Sequence, residues 1–307
     1  MHRELLRGPG LPCIAVTVGD PAGIGPEVAK LALASSTLTR NCRFELIDGG
    51  GRGRRLEAVP GRPTREGSMA AFEDLEAAVA GALQGRYAAV VTGPIHKARM
   101  KEVGFDFPGQ TEFFAQRCGV ADYAMCLTGG ALCVGLATAH VAYKDVPRLL
   151  TPERIKKTGL LLADFLRLRL GRIPNIAVAG LNPHAGESGM FGSEEEELIQ
   201  PALGELRIGG QAVFSEPWSP DTVFHRAASG EFDGVVCMYH DQGLIPLKLL
   251  AFHEGVNVTL GLPFPRTSPD HGTAFELAGG GAADAGSMLS AMNLAAELVF
   301  NGKKLQE

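Results

Sequence analysis

No stretch of this chain approaches the roughly 20 consecutive apolar residues that a bilayer span requires. Its first ten residues, MHRELLRGPG, also lack the apolar core of a secretion signal. The expectation is a cytoplasmic protein with no membrane partner. Surplus positive charge is missing as well: the formal net charge is −5 over 307 residues, so no sequence-wide basic field draws the chain to nucleic acid or to an anionic surface. Cys13, Cys42, Cys118, Cys126, Cys133 and Cys237 include no C-x-x-C pair and sit mostly in apolar contexts. That speaks against a disulfide frame or a structural zinc site and for small buried hydrophobes. There is no internal repeat, no low-complexity linker, no G-x-G-x-x-G dinucleotide fingerprint and no P-loop with its lysine.

What is present is a globular composition, 45% apolar and 21% charged, with length enough for one large or two ordinary α/β domains. Short apolar runs recur, and several feed a turn rich in glycine or histidine. Residues 13–18 (CIAVTV) lead into Gly19-Asp20-Pro21-Ala22-Gly23-Ile24-Gly25 and then an Ala/Leu-rich helical pattern; backbone amides at such a helix start can hold an anion. Strands are also expected at 44–48, 88–92, 132–138 and 176–179, with a flexible turn at 49–53. Apolar spacing predicts helices over 68–84 and 283–298, and another opens at Thr151-Pro152, where cap and first-turn proline are in place. Lys97 reads as surface or site, and Thr111 as a helix cap or a ligand donor. Ser193 with Glu196 spells a capping box before the acidic run 194–197.

The chemistry is densest in residues 235–278. There an apolar run, Val235 to Met238, meets His240, Asp241, Lys248, Asn257, Arg266, Asp270 and His271. A buried strand ending in an imidazole and a carboxylate fits the place where parallel-sheet proteins hold ligands. His140, His184 and His240 each follow an apolar strand candidate. Three imidazoles with an open position form a ligand set for Zn²⁺ or another divalent ion, against the alternative that each is a satisfied structural histidine. Asp221 and Asp241 are candidates to orient ligands or accept a proton. Lys248 and Arg266 supply the positive charge that a phosphate or carboxylate needs.

The motifs GDPAGIGPE, TGPIHKA, FPGQTEFFA, GLNPHAGESGMFGSEE, MYHDQGLIPLK, GVNVTLGLPFPRTSPDHGTAFELAG and ADAGSM together resemble the 4-hydroxythreonine-4-phosphate dehydrogenase family of pyridoxal phosphate biosynthesis, over nearly the whole chain. The resemblance implies an α/β homodimer whose subunits have two α/β/α domains, residues 1–126 with 268–307 and residues 127–267, in the manner of isocitrate and isopropylmalate dehydrogenases. It puts the site in the interdomain cleft and shares it between subunits. The family's divalent-metal ligands match His140, His184 and His240, with zinc, magnesium or cobalt as the ion. Substrate contacts match Gln110, Thr111, Lys248, Asn257 and Arg266. HGTAFELAGGGAAD is similar to the adenosine-binding segment of those dehydrogenases, so the resemblance assigns NAD or NADP to Gly19, Asp20, His271, Gly272 and Asp284. Well-known members carry His where this chain has Gln110, and the segment between Asp48 and Ser68 is shorter than in long members.

The implied reaction oxidises 4-phosphohydroxy-L-threonine to 2-amino-3-oxo-4-phosphooxybutanoate, which decarboxylates to 3-amino-2-oxopropyl phosphate; Asp241, Asp221 and Lys248 are the possible bases. One rival is a paralogue acting on 4-phospho-D-threonate or 4-phospho-D-erythronate in sugar-acid catabolism. Another is a non-catalytic phosphometabolite sensor that keeps the fold.

Overall fold

A computed structural model describes residues 10–49 and 58–304. The turn expected at 49–53 falls almost wholly outside these residues. Among them are ten strands: β1 Cys13–Thr17, β2 Arg43–Ile47, β3 Ala89–Thr92, β4 Ala124–Gly129, β5 Leu132–Leu136, β6 Asn175–Ala179, β7 Val213–Trp218, β8 Gly234–Cys237, β9 Val256–Leu260 and β10 Arg266–Pro269. The six strands expected from apolar runs form within two residues of their anticipated limits. β4, β7, β9 and β10 were not anticipated.

The chain divides into two compact units, Met1–Ala121 with Leu262–Glu307, and Asp122–Gly261. These limits put residues 122–126 in the second unit, because β4 pairs along its length with β5 and β9. They put Arg266 in the first, where β10 runs parallel to β3.

The first unit carries four parallel strands in the order β2-β1-β3-β10. Every residue of β1, β3 and β10 is buried, as parallel strands covered on both faces must be. One face is filled by Leu75, Val79, Tyr87, Phe105, Phe113 and Phe114, whose rings meet edge-on or tilted, Phe105 5.4 Å from Phe113. The helix Arg65–Leu83 starts at Thr64, whose side chain accepts from Gly67 N.

The second unit orders its strands β9-β4-β5-β8-β6-β7. β4 runs antiparallel to both neighbours, while β5, β8, β6 and β7 are mutually parallel. Leu127, Leu132, Val134, Leu136, Val235, Cys237, Leu244 and Leu247 build its core. The helix Pro152–Leu170 begins as expected, with Thr151 accepting from Arg154 N, and ends on Gly171 at φ +67°, a left-handed cap that suits glycine. The six cysteines are free and five are buried, Cys118 being half-buried.

Gly261, at φ +88°, stands where an added Cβ would lie 2.2 Å from Asp122 O. A side chain there meets left-handed strain and rigid backbone together. Gly261→Ala is expected to lower unfolding free energy by about 2 kcal/mol or more, read from the urea midpoint.

Candidate active site

In the second unit, the arrangement of β5, β8 and β6 settles where three histidines go. The strands are adjacent and parallel, so their carboxyl ends share one edge of the sheet, and His140, His240 and His184 follow those ends within a few residues. His240 opens the helix His240–Ala251. Its Nδ1 lies 2.7 Å from Asp241 Oδ1, a contact that orients the ring and directs Nε2 to other work. The rings of His140 and His240 are 5.5 Å apart between centroids. At Zn–N distances of about 2.1 Å, two imidazoles on one ion have centroids within about 6 Å of each other, so this pair suits a shared cation. His184 stands outside the pair, its ring against Phe191 at 5.9 Å. Among the described residues no group of three or more His, Cys, Asp or Glu side chains is gathered to hold a metal.

His140 and His184 adopt left-handed backbone, φ +50° and +53°, as do Ala185, Glu187 and Ser188. Each such residue costs on the order of 1 kcal/mol and persists only where its surroundings enforce it. Around His184 the enforcement is visible. Glu195, 5% exposed, accepts at Oε1 from Leu181 N (2.7 Å) and Asn182 N (2.8 Å), and at Oε2 from Asn182 Nδ2 (3.0 Å). Gln242, also buried, donates from Nε2 to Gly180 O (2.7 Å) and accepts at Oε1 from Met238 N (2.7 Å). It ties the end of β8 to the start of the His184 loop.

These two side chains correct the reading of the acidic run. No capping box forms there: Ser193 contributes its carbonyl to Glu196 N and Glu197 N, and Glu195 turns inward to hold a loop. Glu194 joins it on Asn182 Nδ2 at 2.7 Å. A pattern search by spacing cannot see this, because the partner lies thirteen residues back in another element.

The remaining candidates of this unit divide. Asp221 is exposed at the start of the helix Pro220–Ala228, where its Oδ1 accepts from Ser219 Oγ. Lys248 is half-buried on the helix that His240 opens. Asn257, on β9, has a buried Oδ1 with no hydrogen-bond partner among the described residues, an acceptor aimed at something the protein does not supply.

In the first unit, Arg266 is the centre of a polar cluster. It is 2% exposed, and its Nη2 donates to Thr92 Oγ1 and to Gln110 Oε1, the latter at 3.0 Å. Gln110 Nε2 in turn donates to Gly93 O at 3.0 Å, and the Phe114 ring lies 5.5 Å from the guanidinium carbon. Burial pulls the guanidinium down to about 9, opposed by the charge of Glu112. A cation this deep, with hydroxyl and amide oxygens around it, is set to receive an anion. The helix Gln110–Arg117 starts at Gly109, which makes no side-chain cap. Thr111 is therefore no cap; it sits buried in the first turn. Lys97 is exposed.

Beside this cluster the turn after β1 interlocks with two other segments. Asp20 N donates to Pro94 O at 2.9 Å, and Ile24 N to Thr273 O at 2.9 Å. Gly19, at φ +74°, has no room for a Cβ, which would meet Pro94 O at 2.1 Å. Asp20 is buried, its Oδ1 accepting from Ala22 N at 3.0 Å; burial raises its pKa, against the lowering pull of that hydrogen bond, Arg99 and His96. His271 turns Nδ1 toward Gly272 O at 3.0 Å, while its Nε2 is buried without a partner among the described residues. The unpartnered ring nitrogen of His271 thus lies two residues before Thr273, onto which the turn after β1 packs through Gly23 and Ile24. Asp284 is exposed and accepts from Gly286 N at 2.7 Å, so its visible work is to start the helix Gly286–Lys304.

The family profile described as pyridoxal phosphate biosynthetic protein PdxA matches residues 16–295. A 4-hydroxythreonine-4-phosphate dehydrogenase of Desulfosudis oleivorans is 45% identical over 92% of this chain and 95% of its own length. The crystal structure of a 4-hydroxythreonine-4-phosphate dehydrogenase from Klebsiella pneumoniae superposes with a TM-score of 0.81 at 36% identity, covering 94% of this chain and 99% of that one. An isocitrate dehydrogenase from Methylococcus capsulatus shares the fold at a TM-score of 0.52 and 14% identity, covering 95% and 86%. No helix among the described residues is long and apolar enough to cross a membrane.

Arg266 generates a test. Exchanging a buried charge for an apolar residue of similar volume is often close to neutral for stability, so Arg266→Met is expected to unfold within about 1 kcal/mol of the parent. The rise in melting temperature that inorganic phosphate gives the parent should vanish in the variant, as differential scanning fluorimetry will read.

Proposed function

This chain belongs to the PdxA family of pyridoxal phosphate biosynthetic proteins, and from that membership we infer that it is a dehydrogenase acting on the secondary alcohol of 4-phosphohydroxy-L-threonine. NAD or NADP is the proposed hydride acceptor, and one divalent cation, zinc, magnesium or cobalt, the proposed metal. The observation that carries the reading is the placement of His140, His240 and His184 after adjacent parallel strands, in a chain 45% identical to a named enzyme of this kind.

His140 and His240 are the fitting pair for the cation, and His184 is assigned as its third ligand. Bound there, a divalent ion acts as a Lewis acid on the substrate hydroxyl, as such ions lower the pKa of water from 15.7 to about 7. Asp241 holds His240 in orientation and Asp221 is engaged with Ser219. Lys248, half-buried on the helix that His240 opens, is the group proposed to take the hydroxyl proton. Arg266 is assigned to the substrate phosphate, with Gln110 holding the guanidinium in place and Thr111 close by in the same helical turn. Asn257 offers its orphaned oxygen to a substrate donor. Gly19, Asp20, His271 and Gly272 are assigned to the dinucleotide, and Asp284 to its edge. Loss of hydride and proton gives 2-amino-3-oxo-4-phosphooxybutanoate. Its carbonyl lies β to the carboxylate, so CO₂ leaves readily with the electron pair held as an enolate, and uptake of a proton at the carbon that lost it gives 3-amino-2-oxopropyl phosphate.

Gln110 keeps the second substrate class in view, because an amide carries no charge where well-known members carry an imidazole. The test measures NADH production from 4-phosphohydroxy-L-threonine, 4-phospho-D-threonate and 4-phospho-D-erythronate. The first is expected to exceed the others in kcat/KM by about 100-fold or more, as a site built to bond a particular polar group rejects analogues lacking it. The opposite order would assign the chain to sugar-acid catabolism, and no reduced cofactor from any of the three, with NAD or with NADP supplied, would favour a sensor.

A homodimer with the site shared between subunits is the proposed assembly. The helix that His240 opens bares Ile245 and Leu249, followed by Phe252, at 67%, 83% and 69% exposure, an apolar stripe at i, i+4 and i+7 that asks for cover; a second copy is the proposed occupant. His240→Ala and Arg266→Ala should each be inactive alone. Activity should return when the two are mixed under subunit exchange, since one site of each hybrid dimer then carries neither lesion. Hybrids that form by mass spectrometry and stay inactive would put His240 and Arg266 of each site on one chain, and the same outcome with His140, His184 and Thr111 variants would confine each site to one chain.

A further inference from the structure

We propose that Glu195 is the positioning residue of the loop that carries His184, holding it in a conformation the loop would not keep by itself. Four non-glycine residues there, His184, Ala185, Glu187 and Ser188, have φ between +43° and +57°, a run that the local sequence does not favour. The enforcing contacts converge on one carboxylate. Oε1 accepts from two consecutive backbone amides, Leu181 N and Asn182 N, and Oε2 accepts from the Asn182 side chain. The loop's glycines are shaped to this group: a Cβ on Gly180 would lie 3.0 Å from Oε1, and one on Gly186 would lie 2.7 Å from Oε2. Gln242 anchors the same loop at Gly180 O, on the side facing the end of β8. Glu195 is 5% exposed and accepts every hydrogen bond it makes to the loop. Its geometry is that of a clamp. The functional consequence rests on the reading of His184 as a metal ligand, since groups that orient ligands without touching the ion set its affinity.

The test is Glu195→Gln in the full-length protein. An amide oxygen in place of Oε1 keeps the two backbone bonds, but the new NH₂ faces the NH₂ of Asn182, donor against donor. Hydrogen exchange in residues 180–192 is expected to quicken while the rest of the chain keeps its protection. Zn²⁺ affinity, titrated by calorimetry on chelator-stripped protein, is expected to fall about 10- to 100-fold. Adding Ala185→Gly to that variant relieves left-handed strain and should recover about fivefold in Zn²⁺ affinity. A residue that only stabilised the fold would leave the Zn²⁺ affinity of the folded protein unmoved by either substitution. Parent-like protection throughout residues 180–192 in Glu195→Gln overturns the proposal, and so does parent-like Zn²⁺ affinity in that variant when His184→Ala has lost it. Should His184→Ala bind Zn²⁺ like the parent, the assignment of His184 as ligand fails, and exchange alone then decides for or against the clamp.

Discussion

Backbone groups that leave the end of a buried parallel strand must find hydrogen-bond partners at once, because no neighbouring strand continues the ladder for them. In the second unit that requirement organises everything above the sheet edge. Thr138 Oγ1 donates to Met238 O at 2.7 Å across β5 and β8. Gln242 satisfies Met238 N and Gly180 O together, and Glu195 takes the next two amides of the loop after β6. Three loops are thereby cross-braced by buried side chains, and His140, His184 and His240 ride on them. The placement of these imidazoles rests on buried polar side chains that bond the loops to one another.

The first unit solves a different problem, a guanidinium with almost no access to water. Arg266 lies on a strand buried along its length, and its partners Thr92 and Gln110 are neutral. Desolvation of that cation is unfavourable, and the charge of Glu112 acts against it from within the chain. A site that is costly when empty and favourable when an anion arrives couples binding to stability.

The sequence announces strands through apolar runs and announces histidines, lysine and arginine at their ends. It announces helix starts only where cap and partner lie within one turn, as at Thr151 and Arg154. β4, β9 and β10 carry polar residues, Thr128, Asn257 and Arg266, inside buried strands, and their identity as strands depends on neighbours far along the chain. Glu195 and Gln242 escape for the same reason. One reads as part of an acidic run at a capped helix start and the other as a residue between Asp241 and Gly243, and only the fold shows that both are buried and bonded to the same loop.

Gln110 shows how a departure from a family pattern can keep geometry while changing charge. Its amide donates to Gly93 O and accepts from Arg266 at the same time. Imidazole can do both only while neutral, and once protonated it has no acceptor to offer a guanidinium. An amide has no such second state. The bridge from the β3 turn to Arg266 therefore holds at any pH at which the chain is folded, and the positive charge of this cluster rests on Arg266 without help from position 110. For the phosphate proposed to bind here, position 110 would add no titrating group to the pH dependence of binding, which would follow the phosphate and Arg266 alone.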